Sequence, residues 1–199
     1  MARGYNAIVL AGGASSRMGE PKALLAVRDR ALLDHHLQLV AGAATVVVVT
    51  GPHHVEIAAH VAAGPGERVI LARNPHVEQG PFSSLRLGLE ALGRARRPVV
   101  VLPVDVPPLD GLSLDGLLAA VEAPGTFAAV ASHAGRDGHP VVLSPDAVQA
   151  LRKGPADGTL RDALAAAGAA VVRVPTPVAA VLDDLDTPAD LARLRSPTP

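Results

Sequence analysis

The sequence predicts an α/β fold in which a mainly parallel β-sheet carries helices on both of its faces. Short runs rich in β-branched residues alternate along the chain with longer segments rich in Ala and Leu, which is the order of βα units. Most of the short runs are continuously apolar, as expected of strands that a sheet buries on both faces.

Seven strands and seven helices follow from this pattern. The apolar runs predict strands at 7–10, 45–50, 68–71, 99–104, 127–131, 141–143 and 170–174. Helical patterns occupy 32–41, 55–63, 83–95, 112–121, 146–151, 159–167 and 188–194. The run at 141–143 follows its predecessor too closely for a crossover helix, so we expect a local antiparallel pair there. No linker interrupts the pattern, and we predict one domain over residues 1–195 with a short tail at 196–199.

The composition excludes several classes of protein. The net charge is −1 with no dense Lys/Arg block, so we predict neither a nucleic-acid partner nor a membrane partner. The absence of cysteine excludes a disulfide framework, a cysteine nucleophile and a thiolate metal site. No segment has the pattern of a signal peptide or a membrane span, which predicts a cytoplasmic location.

The loop after the first predicted strand is the strongest candidate for a ligand site, because ligands of open α/β sheets bind beyond the carboxyl ends of the strands. Residues 10–22 read Leu-Ala-Gly-Gly-Ala-Ser-Ser-Arg-Met-Gly-Glu-Pro-Lys. The glycines allow backbone N–H groups to surround an anion, and Arg17 and Lys22 add positive charge. The spacing matches neither the dinucleotide fingerprint nor the Walker loop. A turn with two solvated cations is the alternative, but the position after the first strand favours phosphate binding.

Acidic residues form two further candidates. Asp105 directly follows the predicted strand 99–104, where a carboxylate needs a cation or hydrogen bonds to offset its burial. A helix N-cap or an Asx-turn is the alternative role for Asp105. Near the C-terminus, Asp183, Asp184 and Asp186 precede a Thr-Pro helix start, which by itself does not explain three aspartates in four positions. Alternation along an extended segment puts Asp184 and Asp186 on one side and Asp183 on the other.

Two motifs in the middle of the chain are further candidates for site residues. Residues 74–86 read Asn-Pro-His-Val-Glu-Gln-Gly-Pro-Phe-Ser-Ser-Leu-Arg and enter a helix, where Ser83 or Ser84 has the position of an N-cap. Residues 138–141 read Gly-His-Pro-Val, in which His139 is either a turn residue or part of a site. The other seven histidines lack metal-ligand spacing and are predicted to lie at the surface. No Gly-x-Ser-x-Gly motif supports serine hydrolase chemistry.

These motifs, taken in order, resemble those of the molybdenum cofactor cytidylyl- and guanylyltransferases, and the resemblance covers nearly the whole chain. It implies a three-layer, Rossmann-like nucleotidyltransferase fold. It also implies a Mg²⁺-dependent transfer of CMP or GMP from CTP or GTP to a phosphorylated acceptor, a molybdopterin-type pterin phosphate, with release of pyrophosphate. A molybdoenzyme or its chaperone would be a further partner.

The resemblance also assigns roles to residues. Arg17 would hold the β- and γ-phosphates, Lys22 the α-phosphate, and Asp105 and Asp186 the metal, with Asp184 as the alternative second ligand. His139 would lie in the acceptor pocket. The residues implied to bind the nucleotide are Leu10, Ala11, Gly12, Gly13, Ser15, Ser16, Arg17, Lys22, Asn74, Gly80, Ser83 and Ser84.

The sequence leaves open which nucleotide the protein uses and which molecule accepts the nucleotidyl group. Leu-Ala-Gly-Gly resembles the guanylyl branch, whereas Gly-Glu-Pro-Lys and Gly-His-Pro-Val resemble the cytidylyl branch. A transferase for a sugar phosphate or another small phosphate shares every motif named. A nicotinamide oxidoreductase fits the fold class but not the loop spacing. A non-catalytic nucleotide-binding protein of this fold would release no pyrophosphate, and the presence of Arg17, Lys22 and Asp105 argues against it.

Overall fold

Seven strands form a central sheet in the computed structural model, which describes residues 4–13, 19–64, 69–94, 96–153 and 158–195. The predicted tail at 196–199 lies outside these residues. The strands of this sheet are β1 (Asn6–Ala11), β4 (Val46–Thr50), β5 (Val69–Arg73), β6 (Val99–Pro103), β7 (Ala128–His133), β8 (Arg136–Leu143) and β9 (Val171–Pro175). Two short strands, β2 (Ala26–Val27) and β3 (Arg30–Ala31), form a separate antiparallel hairpin.

The sheet is mainly parallel, in the order β5-β4-β1-β6-β8-β7-β9. Strand β8 is the exception, because it runs antiparallel to both of its neighbours, β6 and β7. The hairpin turn between β7 and β8 consists of Ala134 and Gly135, both with positive φ (48° and 77°), as a two-residue turn matched to the twist of the strands requires. The predicted fold class and the antiparallel pair are therefore confirmed.

All seven predicted helices are present, with shifted boundaries. They are α1 (Leu32–Leu39), α2 (His54–Ala63), α3 (Pro81–Ala91), α4 (Asp115–Val121), α5 (Pro145–Lys153), α6 (Leu160–Ala167) and α7 (Pro188–Arg195). Helix α7 begins at the predicted Thr-Pro sequence, where the Thr187 hydroxyl accepts a hydrogen bond from the Asp190 N–H at 3.3 Å. None of the helices among the described residues has the length and apolar character needed to cross a membrane.

The side chains of the central strands alternate between two cores, one on each face of the sheet. On one face Val9, Val48 and Leu102 pack against α1, α2 and α4. On the other face Ile8 and Val49 pack against α3 and α5. Because both faces are covered, both sets of positions along each strand are apolar, which is why the sequence shows continuous and not alternating runs.

A third, smaller core joins the two ends of the chain. Leu25, Val27 and Leu32, which belong to the β2–β3 hairpin region, pack against Leu185 and Leu191 from the C-terminal segment. Leu25 and Leu185 are almost fully buried. This cluster fixes the segment after Lys22 beside the segment that contains Asp186.

Candidate active site

A pocket of about 210 Å³ lies beyond the carboxyl ends of β1 and β6. The Val104 N–H donates to the Leu10 carbonyl at 3.0 Å, which holds the two strand ends together. This is the position at which an α/β sheet binds ligands. The residues around it include Leu10, Ala11, Gly13, Lys22, His53, Asp105 and Asp186.

The start of the Gly-rich loop is closely packed against its neighbours. A Cβ atom at Gly51, just after β4, would lie 2.2 Å from the Gly12 carbonyl oxygen, so only glycine fits there. A Cβ atom at Gly12 would lie 3.0 Å from the Ser84 Oγ. The predicted nucleotide-binding residues Gly12 and Ser84 are therefore neighbours. Ser15, Ser16 and Arg17 lie outside the described residues.

Asn74 links three elements beside this loop. Its backbone N–H donates to the Thr50 carbonyl at 2.8 Å, which ties the end of β5 to the end of β4. Its side-chain amide donates to the hydroxyls of Ser83 and Ser84, both at 2.9 Å. Its side-chain oxygen accepts the His76 N–H at 2.9 Å. The amide of Asn74 therefore positions the first turn of α3.

The predicted N-cap role of Ser83 or Ser84 is wrong. Helix α3 begins at Pro81, and Gly80 is its N-cap with a φ of 89°. A proline at the first helical position needs no N–H partner, and glycine adopts the positive φ that precedes it. The Ser83 hydroxyl instead donates to the Gly80 carbonyl at 2.8 Å.

Lys22, Asp105 and Asp186 converge at the pocket although they lie far apart in the sequence. The Leu185 N–H donates to the Asp105 carbonyl at 2.7 Å, which aligns the C-terminal segment with the end of β6. The Lys22 ammonium lies 2.7 Å from Asp186 Oδ1 and 3.5 Å from Asp105 Oδ2. The Lys22 side chain is only 15% exposed, against 34% for Asp105 and 53% for Asp186.

The two carboxylates suit a divalent cation in chemistry and in geometry. Both approach one positive centre, the Lys22 ammonium, which marks a position where a cation lies between them. Oxygen is the ligand that Mg²⁺ prefers, and Mg²⁺ is commonly held by one or two carboxylates together with substrate phosphates. Among the described residues, no group of three or more His, Cys, Asp or Glu side chains is arranged to hold a metal.

Asp184 faces a second cavity of about 680 Å³, which also contains His139, Arg136 and Arg161. Burial raises the pKa of the Asp184 carboxyl, and the negative charges of Asp105 and Asp186 add to the effect. Burial lowers the pKa of His139, while the Asp105 charge opposes that shift. His139 Nδ1 is buried without a hydrogen-bond partner among the residues described.

Strand β8 approaches the C-terminal segment closely beside this cavity. A Cβ atom at Gly138 would lie 2.2 Å from the Val181 carbonyl oxygen, so glycine is required next to His139. Asp137 accepts two hydrogen bonds from Arg173, at 2.7 and 2.9 Å. The Gly-His-Pro-Val motif therefore forms part of a wall that β8, β9 and the C-terminal segment build together.

Two histidines differ from the prediction of surface positions. His53 lines the pocket at the end of β1, and its position just after a predicted strand was the available signal. His36 is only 1% exposed, and its Nε2 lies 3.1 Å from the Val104 carbonyl. Burial lowers the pKa of His36 to about 4, so the ring is neutral at pH 7 and donates this hydrogen bond. His36 shares a helix face with Leu33 and Val40, spacing that indicated burial.

The fold and the site together define a protein of the nucleotidyltransferase type, and comparison with known proteins supplies the family. The chain belongs to the family of the MobA-like NTP transferase domain, whose model matches residues 7–172. This result confirms the family that the sequence motifs indicated.

Two curated relatives carry the name molybdenum cofactor guanylyltransferase. The protein from Acidiphilium cryptum is 32% identical over 163 residues, which cover 75% of this chain and 73% of the relative. The protein from Xanthomonas euvesicatoria is 37% identical over 120 residues, which cover 59% of this chain and 55% of the relative. The chain thus spans only about half the length of several curated relatives that it matches.

Solved structures agree with the fold. The crystal structure of Rv0371c from Mycobacterium tuberculosis is similar with a TM-score of 0.79 and 26% identity, over 97% of this chain and 98% of that chain. Another crystal structure of Rv0371c is a complex with manganese, with a TM-score of 0.71 and 25% identity over 96% of this chain and 98% of that chain.

Proposed function

We propose that this protein is a nucleotidyltransferase that transfers GMP from GTP to the phosphate of a molybdopterin-type acceptor and releases pyrophosphate. The observation that carries the proposal is the convergence of Lys22, Asp105 and Asp186 beside the Gly-rich loop, at the carboxyl ends of β1 and β6. The guanylyltransferase names of the relatives support the choice of nucleotide and acceptor.

The reaction is a displacement at the α-phosphorus of the nucleotide. An oxygen of the acceptor phosphate forms a new bond to this phosphorus, and the bond from the phosphorus to the oxygen that bridges to the β-phosphate breaks. The electron pair of that bond leaves with pyrophosphate. A phosphate acceptor is already ionised at pH 7, so the chain does not need a strong general base. Its task is positioning and charge stabilisation.

The charged residues then have distinct roles. Lys22 would neutralise the α-phosphate, and Arg17 the β- and γ-phosphates that become pyrophosphate. Asp105 and Asp186 would hold Mg²⁺, which supplies charge stabilisation to the phosphates when bound. Asp186 is the better second ligand because it shares the Lys22 cation with Asp105, whereas Asp184 lines the second cavity.

The nucleotide would lie along the described part of the loop, from Leu10 to Gly13, with Gly80 as a further contact. Ser15 and Ser16 remain proposed contacts from the sequence motif. Backbone N–H groups of such a loop suit phosphate oxygens. The hydroxyls of Ser83 and Ser84 are held by Asn74 at the start of α3, which supports contact of this segment with base and ribose.

The second cavity is the proposed acceptor site. It adjoins the carboxylate pair through Asp184, and a volume of about 680 Å³ accommodates a ligand of pterin size. Arg136 and Arg161 give it positive charge, which suits an anionic acceptor. His139, with its buried Nδ1, would contact the acceptor. The nucleotide-modified cofactor would pass to a molybdoenzyme or its chaperone.

Pyrophosphate release tests this proposal. Purified protein is incubated with Mg²⁺ and each of GTP, CTP, ATP and UTP, either alone, with isolated molybdopterin or with glucose 1-phosphate. We expect release with GTP that depends on molybdopterin. Release with CTP but not with GTP would show that the nucleotide is CTP, while the reaction would still be nucleotidyl transfer. Release that requires glucose 1-phosphate as acceptor would support the sugar-phosphate alternative, and no release with any acceptor would indicate a non-catalytic nucleotide-binding protein.

A further inference from the structure

We infer that the Lys22 ammonium and a divalent metal ion compete for the same two carboxylates, so that metal binding requires Lys22 to leave Asp105 and Asp186. The inference rests on the proposed function, in which the nucleotide phosphates offer Lys22 its alternative partner. It predicts that the free protein binds metal weakly and that nucleotide and metal bind cooperatively.

The first step of the argument is geometric. The Lys22 ammonium lies 2.7 Å from Asp186 Oδ1 and 3.5 Å from Asp105 Oδ2, so it occupies the space between the two side chains. A Mg²⁺ ion bound to both carboxylates would lie about 2.1 Å from an oxygen of each. A cation bridging the two aspartates therefore needs the volume that the ammonium fills.

The second step is electrostatic. The Lys22 side chain is only 15% exposed, so its charge is poorly screened by solvent at this position. An ammonium and a dication a few ångströms apart repel each other. Displacement of Lys22 is the favourable outcome when the dication enters.

The third step concerns the route that Lys22 would take. Lys22 follows Pro21 and begins a short 3₁₀ turn, Lys22–Leu24, at the end of the Gly-rich loop. Its backbone is anchored there by the buried Ala23 and Leu25. The four-carbon stem of a lysine is flexible, so the ammonium can exchange partners while the backbone stays in place. A phosphate oxygen in the pocket would replace a carboxylate as the partner of the ammonium.

Reciprocity follows from the exchange. If a bound nucleotide draws Lys22 away and thereby raises the metal affinity, a bound metal must raise the nucleotide affinity by the same factor. The ion pair would also keep the two carboxylates from binding metal ions unproductively when no nucleotide is present. Lys22 then acts twice, as a partner of the α-phosphate and as the competitor that controls entry of the metal.

Binding of Mn²⁺ alone, measured from the electron paramagnetic resonance signal of the free ion, tests the inference. The comparison uses wild-type protein, Lys22→Met, Lys22→Gln, Lys22→Arg and the exposed control Lys153→Met, each checked for folding by thermal unfolding. We expect both neutral variants at position 22 to bind Mn²⁺ on the order of tenfold more tightly than wild type. Lys22→Arg and Lys153→Met should bind like wild type, and Asp105→Asn added to Lys22→Met should abolish the gain.

Equal or weaker Mn²⁺ binding by the neutral variants would overturn the competition, as would a gain that survives Asp105→Asn. Lys22→Gln keeps a hydrogen-bond donor for Asp186, so it reports on competition if the methionine variant does not fold. The outcome is independent of catalysis. If the neutral Lys22 variants bind Mn²⁺ more tightly but wild-type protein releases no pyrophosphate, the competition is supported and the proposed function is contradicted. If wild-type protein releases pyrophosphate but the variants bind Mn²⁺ no more tightly, the proposed function is supported and the competition is contradicted.

Discussion

Asp105 is the residue at which the backbone and the side chain serve the site in different ways. Its carbonyl accepts the Leu185 N–H, and its carboxylate faces Lys22. Only the carboxylate changes in Asp105→Asn, so the fold should be retained. We expect metal-dependent turnover to fall by more than a hundredfold, because loss of a charged ligand costs on the order of several kcal/mol in the barrier. Pyrophosphate release as a function of Mg²⁺ concentration measures this, with the exposed Asp29→Asn as control. Wild-type turnover in Asp105→Asn would remove Asp105 from the metal site.

Lys22 and Lys153 provide a second matched comparison. Lys22 is largely buried at the carboxylate pair, whereas Lys153 lies exposed in the last turn of α5. We expect Lys22→Ala to lower the catalytic rate at saturating nucleotide, since the charge of Lys22 matters most as pyrophosphate departs. Lys153→Ala should leave the rate unchanged. Single-turnover kinetics separate an effect on rate from one on the Michaelis constant, and equal small effects of both variants would contradict the role of Lys22.

His36 predicts a pH dependence of stability. Its pKa is about 4 in the folded protein because the ring is buried, against an ordinary value of 6.5. Between these two values the unfolded chain binds more protons than the folded one, so stability rises with pH in this window. Acidification from 6.5 to 4 should therefore lower the free energy of unfolding by about 3 kcal/mol through His36. Urea unfolding at several pH values compares wild type with His36→Gln, in which this contribution should vanish; identical pH profiles would contradict the assignment.

At the scale of elements, the first loop and the end of β4 are in such close contact that no side chain fits at Gly51. Gly51→Ala would place a methyl group 2.2 Å from the Gly12 carbonyl, and backbone must shift to relieve the contact. We expect a loss of about 1–3 kcal/mol in stability and weaker nucleotide binding. Gly64→Ala is the control, because its added methyl group would come no closer than 3.8 Å to the part of the chain that the structure describes. Thermal unfolding and nucleotide titration measure the two effects. A Gly51→Ala protein that matches wild type in both would contradict the packing described.

The pattern of apolar residues predicted the elements of the sheet better than their ends. Strand β8 begins at Arg136, well before the apolar run at 141–143. The apolar pattern missed its start because Arg136 and Asp137 are polar, and because the need for Gly138 arises from a tertiary contact with the Val181 carbonyl. The two-residue strands β2 and β3 are too short to form a periodic pattern. The helical spacing of His36 indicated burial. A buried histidine needs a hydrogen-bond partner, however, and the sequence does not show that the Val104 carbonyl is that partner.

At the scale of the whole molecule, the site depends on segments that the sequence does not relate to each other. The motifs pointed to Lys22, Asp105 and Asp186 one at a time. Their convergence depends on the hydrogen bond from Leu185 to Asp105 and on the third core around Leu25, both of which arise from tertiary packing. The ion pair between Lys22 and Asp186 spans 164 positions in the chain and was therefore not predictable from local pattern.

The central claim is that the protein transfers a nucleotidyl group, and the fate of a labelled phosphate tests it most directly. Wild-type protein and Asp105→Asn are incubated with Mg²⁺, molybdopterin and GTP labelled either at the α- or at the γ-phosphate. Nucleotidyl transfer predicts that the α-label appears on the molybdopterin product and the γ-label in an equal amount of pyrophosphate, with both lost in Asp105→Asn. Recovery of the γ-label on the acceptor would contradict the claim. So would recovery of both labels in unreacted GTP, provided that CTP in place of GTP also gives no product.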